Sequence, residues 1–212
     1  MICICIREET VKECLRLLEG VECAEIRMEK LVCGPEDVAR IFLSHPRLIA
    51  TFRPGAHGDD RRAAFLSRAI ESGAAYVDVE VEWGGPGKDE VIRKARAAGC
   101  RVIVSYHNHE ATPGRTDLEA IIDRCFRQGA DLAKIACFVR TDRENARLIG
   151  LLDDGRPLIV IGMGPVGRIT RVLSPLLGSR LAYAAVSAGK ETAEGQTDTA
   201  SLQHLLKEFA DA

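Results

Sequence analysis

Short apolar runs alternate with longer amphipathic segments from one end of the chain to the other, and no other feature limits the fold so tightly. Strands are expected at Ile2–Ile6, Cys23–Met28, Leu48–Phe52, Tyr76–Val81, Arg101–Tyr106, Leu132–Val139, Pro157–Ile161 and Leu181–Val186. Helices are expected between them at Thr10–Leu18, Pro35–Leu43, Asp60–Glu71, Asp89–Ala98, Thr116–Arg127, Asp142–Leu152, Ile169–Leu177 and Ala200–Phe209. Pro35 opens its helix, Gly73, Gly99 and Gly129 close theirs, and Thr116 with Glu119 reads as a capping box. Strict alternation calls for parallel strands joined by crossover helices, because parallel neighbours cannot be linked by a tight turn. Eight units close a (β/α)8 TIM barrel, and 212 residues suit its small end. A doubly wound open sheet is the other architecture with this period. No linker or compositional break divides the chain, so residues 1–212 are expected to form a single α/β domain.

Charge and apolar content narrow the function. Twenty-nine basic residues against thirty-one acidic ones leave a net charge of −2, without the basic excess of a nucleic-acid partner. No apolar run approaches the roughly 18 residues of a membrane helix. The opening MICICIREET lacks a cationic start, and Arg7, Glu8 and Glu9 cut its apolar run, so it does not read as a signal peptide. The expected location is the cytoplasm. The eight cysteines contain no C-x-x-C pair. They read as buried thiols rather than a zinc set, with Cys3 and Cys5 on one face of the first strand.

A barrel places its reactive groups at the C-terminal ends of the strands. Those ends are polar here: Glu25 and Arg27, Thr51 and Arg53, Asp78 and Glu80, Ser105 and His107, Lys134, Met163, Ser187. Lys134 interrupts an otherwise apolar run, GADLAKIACFV. An ammonium there must be desolvated or paired, unless it snorkels to water at a strand end. Desolvation, with Arg27, Arg53 and Arg171 nearby, would lower its pKa and make it a nucleophile toward carbonyl carbon. His107 ends RVIVSYH and can move protons near neutral pH. With His109 it forms H-x-H, which could also be half of a zinc site with a carbamylated Lys134. The only later histidine is His204, so that ligand set is incomplete, and no metal is expected. Arg27, Arg53 and Arg171 suit a carboxylate or phosphate, or else a ring of structural ion pairs with Glu25 and Glu29. Gly162-Met163-Gly164-Pro165-Val166-Gly167 matches G-x-G-x-x-G but comes too late in the chain for a dinucleotide fold, and Pro165 removes an amide. It reads as a tight turn that presents Arg171.

Taken in order, Glu25-Ile-Arg27, Thr51-Phe-Arg53, Asp78-Val-Glu80, Ser105-Tyr-His107, Ala133-Lys134-Ile135-Ala136, Met163-Gly164, Thr170-Arg171 and Gly195-Gln196 resemble the type I 3-dehydroquinate dehydratases. The likeness runs from the first strand to the last helix. It implies a hydro-lyase of the shikimate pathway, which leads to chorismate and the aromatic amino acids. The reaction would convert 3-dehydroquinate to 3-dehydroshikimate without a cofactor. Lys134 would form a Schiff base with the substrate ketone. His107 would act as general acid and base. Arg171 would bind the carboxylate, and Glu25, Arg27, Arg53, Thr192 and Gln196 would complete the substrate contacts. Glu29 and Met163 would support them. A small-molecule substrate is the expected partner, together with a homodimer.

Three positions depart from the family pattern. Glu29 stands where an aspartate is usual. His57 replaces a glutamate expected near the catalytic histidine, which leaves Glu80 as the candidate to orient His107. Thr192 replaces a serine in the segment after strand eight. Gly189–Gly195 in that segment reads as a lid, being rich in glycine and charge. A Schiff-base aldolase acting on a sugar phosphate and a non-catalytic barrel that binds a small acid are the alternative functions.

Overall fold

The computed structural model describes residues 1–55 and 57–210; Asp211 and Ala212, the end of the expected domain, lie outside them. Eight parallel strands form one sheet: β1 (Ile2–Ile6), β2 (Ala24–Arg27), β3 (Leu48–Thr51), β4 (Tyr76–Glu80), β5 (Arg101–Asn108), β6 (Leu132–Phe138), β7 (Leu158–Met163) and β8 (Ala182–Ala185). Their order is β7-β6-β5-β4-β3-β2-β1-β8, so the sheet curls until its first and last members face each other. At that seam the Arg180 amide donates to the Leu158 carbonyl at 2.9 Å. This is a nearly closed (β/α)8 barrel, and the open-sheet alternative falls.

The helices are α1 (Val11–Leu17), α2 (Pro35–Leu43), α3 (Gly58–Glu71), α4 (Pro86–Ala98), α5 (Arg115–Arg127), α6 (Asp142–Gly150), α7 (Gly164–Gly167), α8 (Thr170–Leu176) and α9 (Thr199–Ala210). Among the described residues, no helix is long and apolar enough to cross a membrane.

Boundaries moved where turn chemistry overrides periodicity. α4 begins at Pro86 because Gly85, with φ 87°, turns the chain and proline is preset for a first helical turn. Thr116 lies inside α5, whose N-cap is Gly114, so the expected capping box is absent. β2 stops at Arg27, where a short 3-10 turn over Met28–Lys30 takes over. The four-residue α7 follows β7 directly and was not expected from the sequence.

Side chains alternate across each strand, so every second residue points into the barrel. The outward set packs under the helices, through residues such as Ile26, Ala50, Val77, Val104 and Ile135. The inward set includes Cys3, Cys5, Cys23, Ile49, Ile103, Leu132, Ile159 and Tyr183. The same parity carries Glu25 and Arg27 on β2, Asp78 and Glu80 on β4, Ser105 and His107 on β5, and Lys134 on β6. Register sets their heights: Glu80 pairs with Ser105, and Ser105 with Lys134. The barrel interior is therefore apolar at the N-terminal end and charged toward the C-terminal end.

The glycine motif has a steric explanation. A Cβ on Gly167 would lie 2.6 Å from the carbonyl carbon of Gly162 and 2.9 Å from its oxygen. Thr170 Oγ1 ties the two together, accepting from the Gly162 amide at 2.7 Å and donating to the Gly167 carbonyl at 2.8 Å. The glycines allow β7 to enter α7 and α8 at close range. Gly167→Ala should destabilise the fold by about 1–3 kcal/mol through overpacking. Urea denaturation checks this, and an unchanged midpoint would refute it.

Candidate active site

A cavity of about 470 Å³ opens at the C-terminal ends of the strands. Its wall contains Cys5, Glu25, Arg27, Arg53, Glu80, Glu82, His107, His109, Lys134, Met163, Arg171, Tyr183, Thr192 and Gln196. All eleven residues proposed from the sequence are thus accounted for: ten line this cavity, and Glu29 stands behind its rim. Glu29 holds Arg27 through Nη2 at 2.6 Å and accepts the Arg53 amide at 3.3 Å. The longer side chain fits this place because it bridges two strand ends.

Lys134 lies deep in the cavity, 4% exposed. Its Nζ is 3.2 Å from Asp78 Oδ2 and 3.5 Å from Glu25 Oε1. The same nitrogen stands 4.1 Å over the ring of Tyr183. This differs from the sequence expectation of arginines pressing on the amine. Two carboxylates face it instead, and their attraction opposes its desolvation. Arg53 is engaged elsewhere. It grips Asp78 with both terminal nitrogens, at 2.8 and 2.9 Å, and reaches Glu80 Oε1 at 2.6 Å. Ser105 Oγ adds a bond to Asp78 at 2.6 Å. Thr51 Oγ1 donates to Glu25 at 3.0 Å.

The charges explain the titration of these groups. Burial alone would raise the Asp78 carboxyl, but Arg53 and Lys134 overcome it and hold Asp78 far below the usual carboxylate range. Burial likewise opposes ionisation of Glu25, and Lys134, Arg27 and Arg53 reverse it, so its pKa is also lowered. His107 moves down for two additive reasons. Burial disfavours its charged form, and so do Arg53 and Lys134, placing it well below an ordinary imidazole. His107 is therefore neutral at pH 7, a proton acceptor in its resting state.

The expected orienting role of Glu80 requires correction. Its Oε1 accepts from Arg53, and its Oε2 meets Arg62. Arg62 in turn lies over the Trp83 ring at 3.8 Å. Among the described hydrogen bonds, none joins Glu80 to His107. His57 packs edge-on to Phe52 at 5.8 Å and does not line the cavity. The ring lying parallel to His107 is that of His109. Among the described residues, no group of three His, Cys, Asp or Glu side chains is arranged to hold a metal ion.

Among the described residues of the cavity wall, Arg171 is the cation without an ion pair. It is 4% exposed, and burial lowers its pKa to about 10. Its Nη2 reaches only the Glu194 carbonyl, at 3.4 Å, and its Nε has no partner. Among the described ion pairs it has no carboxylate, so it can receive one from a ligand. The segment after β8 stands over the cavity. Gln196 Oε1 accepts from the Thr192 amide at 2.7 Å and from Thr192 Oγ1 at 3.0 Å. Gln196 Nε2 points to Cys5 Sγ at 3.3 Å.

Sequence reasoning quoted Asp78 at a strand end but gave it no role. The signal was present: Asp78 and Glu80 share inward parity on one strand. Tyr183 carried the same parity signal on β8. Arg62 had none, since it lies in the charged run Asp59-Asp60-Arg61-Arg62 at the start of a helix.

These features define a class: a (β/α)8 barrel whose mouth holds a buried lysine, a neutral imidazole and an arginine open to an anion. Comparison with known proteins narrows it. The model of the family described as "Type I 3-dehydroquinase" matches residues 2–211. The 3-dehydroquinate dehydratase of Pyrococcus abyssi is 31% identical over 218 residues, covering 98% of this chain and 97% of the relative. That of Methanococcus vannielii is 30% identical, covering 97% and 98%. Among solved structures, the type I 3-dehydroquinate dehydratase of Clostridium difficile superposes with a TM-score of 0.87 at 23% identity, covering 99% of this chain and 92% of the other. The chain belongs to the type I 3-dehydroquinase family.

Removing Asp78 tests the charge network. Asp78→Asn would leave Arg53 and Lys134 buried with one carboxylate fewer, a loss of about 3–5 kcal/mol in urea unfolding. The sign with pH follows from the lowered carboxyl. Its stabilisation is complete above the unfolded aspartate value of about 3.9 and is lost as pH falls further. The gap between wild type and variant should stay constant above about pH 5 and narrow below about pH 4. A gap that widens on acidification would contradict this assignment.

Proposed function

We propose that this chain is a 3-dehydroquinate dehydratase, a hydro-lyase that removes water from 3-dehydroquinate through a Schiff base on Lys134. The observation that carries the reading is a buried lysine facing the same cavity as an arginine without a carboxylate partner. A ketone that also bears a carboxylate could meet both. The names of the relatives and the family match supply the substrate.

The steps balance on the chain's own residues. Lys134 lies between Asp78 and Glu25. It passes one proton to neutral His107, and the freed amine lone pair attacks the ketone carbon. His107 returns the proton to the resulting hydroxyl, which leaves as water and yields a protonated imine. That imine withdraws electrons, so the neighbouring C–H becomes acidic enough for an imidazole to remove its proton. The C–H electron pair moves toward nitrogen and then expels hydroxide from the next carbon. His107 delivers its proton to that hydroxide, and a second water departs. Addition of one water to the product imine, with proton return, frees ketone and lysine. Asp78 and Glu25 stabilise the cationic nitrogen throughout. Arg171 holds the carboxylate, while Arg27, Gln196 and Thr192 supply polar contacts for hydroxyls.

Eight free thiols support a reducing compartment, the cytoplasm. Exposed Val166, Ile169 and Leu177 around α7 and α8 support self-association as a homodimer.

Borohydride reduction in the presence of 3-dehydroquinate tests the covalent step. Intact-mass measurement should find an adduct on the wild type and none on Lys134→Ala. His107→Gln should lose about two to four orders of magnitude in turnover yet still be trapped, more slowly. An adduct on Lys134→Ala, or a fully active His107→Gln, would remove these roles. Arg171→Ala should chiefly raise KM, by an amount worth about 2–5 kcal/mol in kcat/KM. Arg171→Lys should recover part of it, because an ammonium lacks the planar fork. Unchanged kcat/KM in Arg171→Ala would place the carboxylate elsewhere.

A further inference from the structure

The H-x-H motif contains a second imidazole that the proposed reaction does not use. His107 ends the inward face of β5, and His109 follows two residues on, just past the end of the strand. The rings lie parallel, with 13° between their planes and 6.3 Å between their centroids. Both line the catalytic cavity, but at different depths: His107 is half-buried and His109 is exposed. The spacing is too long for a direct ring-to-ring hydrogen bond and suits one bridging water.

The surroundings of His107 make a second ring useful. It faces Arg53 and Lys134, and each opposes its protonation. Once the imine forms, the Lys134 nitrogen remains positive. A proton held on His107 would then sit beside two cations in a partly desolvated site, which is unfavourable. Moving that charge outward to an exposed ring weakens the repulsion and gives it water. The charged groups sharing the cavity wall with His109 are Glu25, Arg27, Arg53, Glu80, Glu82, Lys134 and Arg171. Glu80 is taken by Arg53 and Arg62, whereas Glu82 is exposed and makes no described ion pair.

We propose that His109 is a second proton-transfer group of this site, accepting through one water the proton that His107 takes and returning it before the hydroxyl leaves. The balance of the reaction is unchanged: one C–H proton and one hydroxide still depart as one water. The inference rests on His107 being the base of the proposed dehydration.

The test compares His109→Ala, His109→Phe and His109→Gln with wild type, using 3-dehydroquinate. Turnover should fall about ten- to a hundredfold in all three, with KM held within about twofold. Added imidazole should restore His109→Ala with saturation and leave His109→Phe unrescued, because phenylalanine fills the space. His109→Gln keeps a polar side chain at an exposed position and so carries the rate comparison if the alanine variant folds poorly. Wild-type turnover in His109→Gln, a loss confined to KM, or failure of imidazole to rescue a folded His109→Ala would each overturn the relay. Borohydride trapping of wild type and the activity of His107→Gln are measured alongside. If wild type is trapped and His107→Gln is inactive while the His109 variants are normal, the relay alone falls. If wild type is not trapped, the Schiff-base reading falls with it.

Discussion

Arg53 and Asp78 meet as a planar fork on a carboxylate, at 2.8 and 2.9 Å, inside the barrel. A buried charge without a partner is costly, so each residue makes the other tolerable. The pair then organises its neighbours. Asp78 offers Oδ2 to Lys134, Arg53 extends to Glu80, and Ser105 bonds to both members. Lys134 lies at the centre of the barrel between Asp78 and Glu25. Burial first, and then Arg53 and Lys134, hold the His107 imidazole well below its ordinary value.

The network also accounts for what remains open. Lys134, Arg53 and Arg62 are matched by Glu25, Asp78 and Glu80, and Arg27 is matched by Glu29. Arg171 has no such match. A buried guanidinium without a carboxylate selects an anion and gives it a direction. The ligand carboxylate goes toward α8, which leaves the rest of the molecule to reach Lys134 across the cavity.

Backbone packing holds Arg171 in place. Gly162 and Gly167 touch nearly backbone to backbone, and Gly195 meets the carbonyl of Gly164 so closely that any side chain would collide. The Gly164 amide donates to Glu194 at 3.1 Å, and the Glu194 carbonyl also faces Arg171. The turn after β7 and the segment after β8 are therefore one packed unit. A change in the segment bearing Thr192 and Gln196 is felt at the carboxylate-binding arginine.

Much of this was readable in the linear chain. The alternation of apolar runs and amphipathic segments determined parallel strands with crossover helices, and eight such units suited a barrel, whereas closure over an open sheet was decided by the fold. Their places at the C-terminal ends of predicted strands grouped Glu25, Arg27, Glu80, His107 and Lys134 at one mouth. The G-x-G-x-x-G run was legible as a turn rather than a nucleotide loop from its late position and Pro165. Tertiary structure alone decided the pairings, because a charge pair between strands depends on register and on side-chain reach between residues far apart in sequence. It gave Asp78 to Arg53 and Lys134, gave Glu80 to Arg53 and Arg62 instead of His107, and left Arg171 without a carboxylate among the described ion pairs. It also brought His109 parallel to His107 at the mouth. Residue identity specifies which groups can ionise, but only their distances in the folded barrel decide which of them keep a charge.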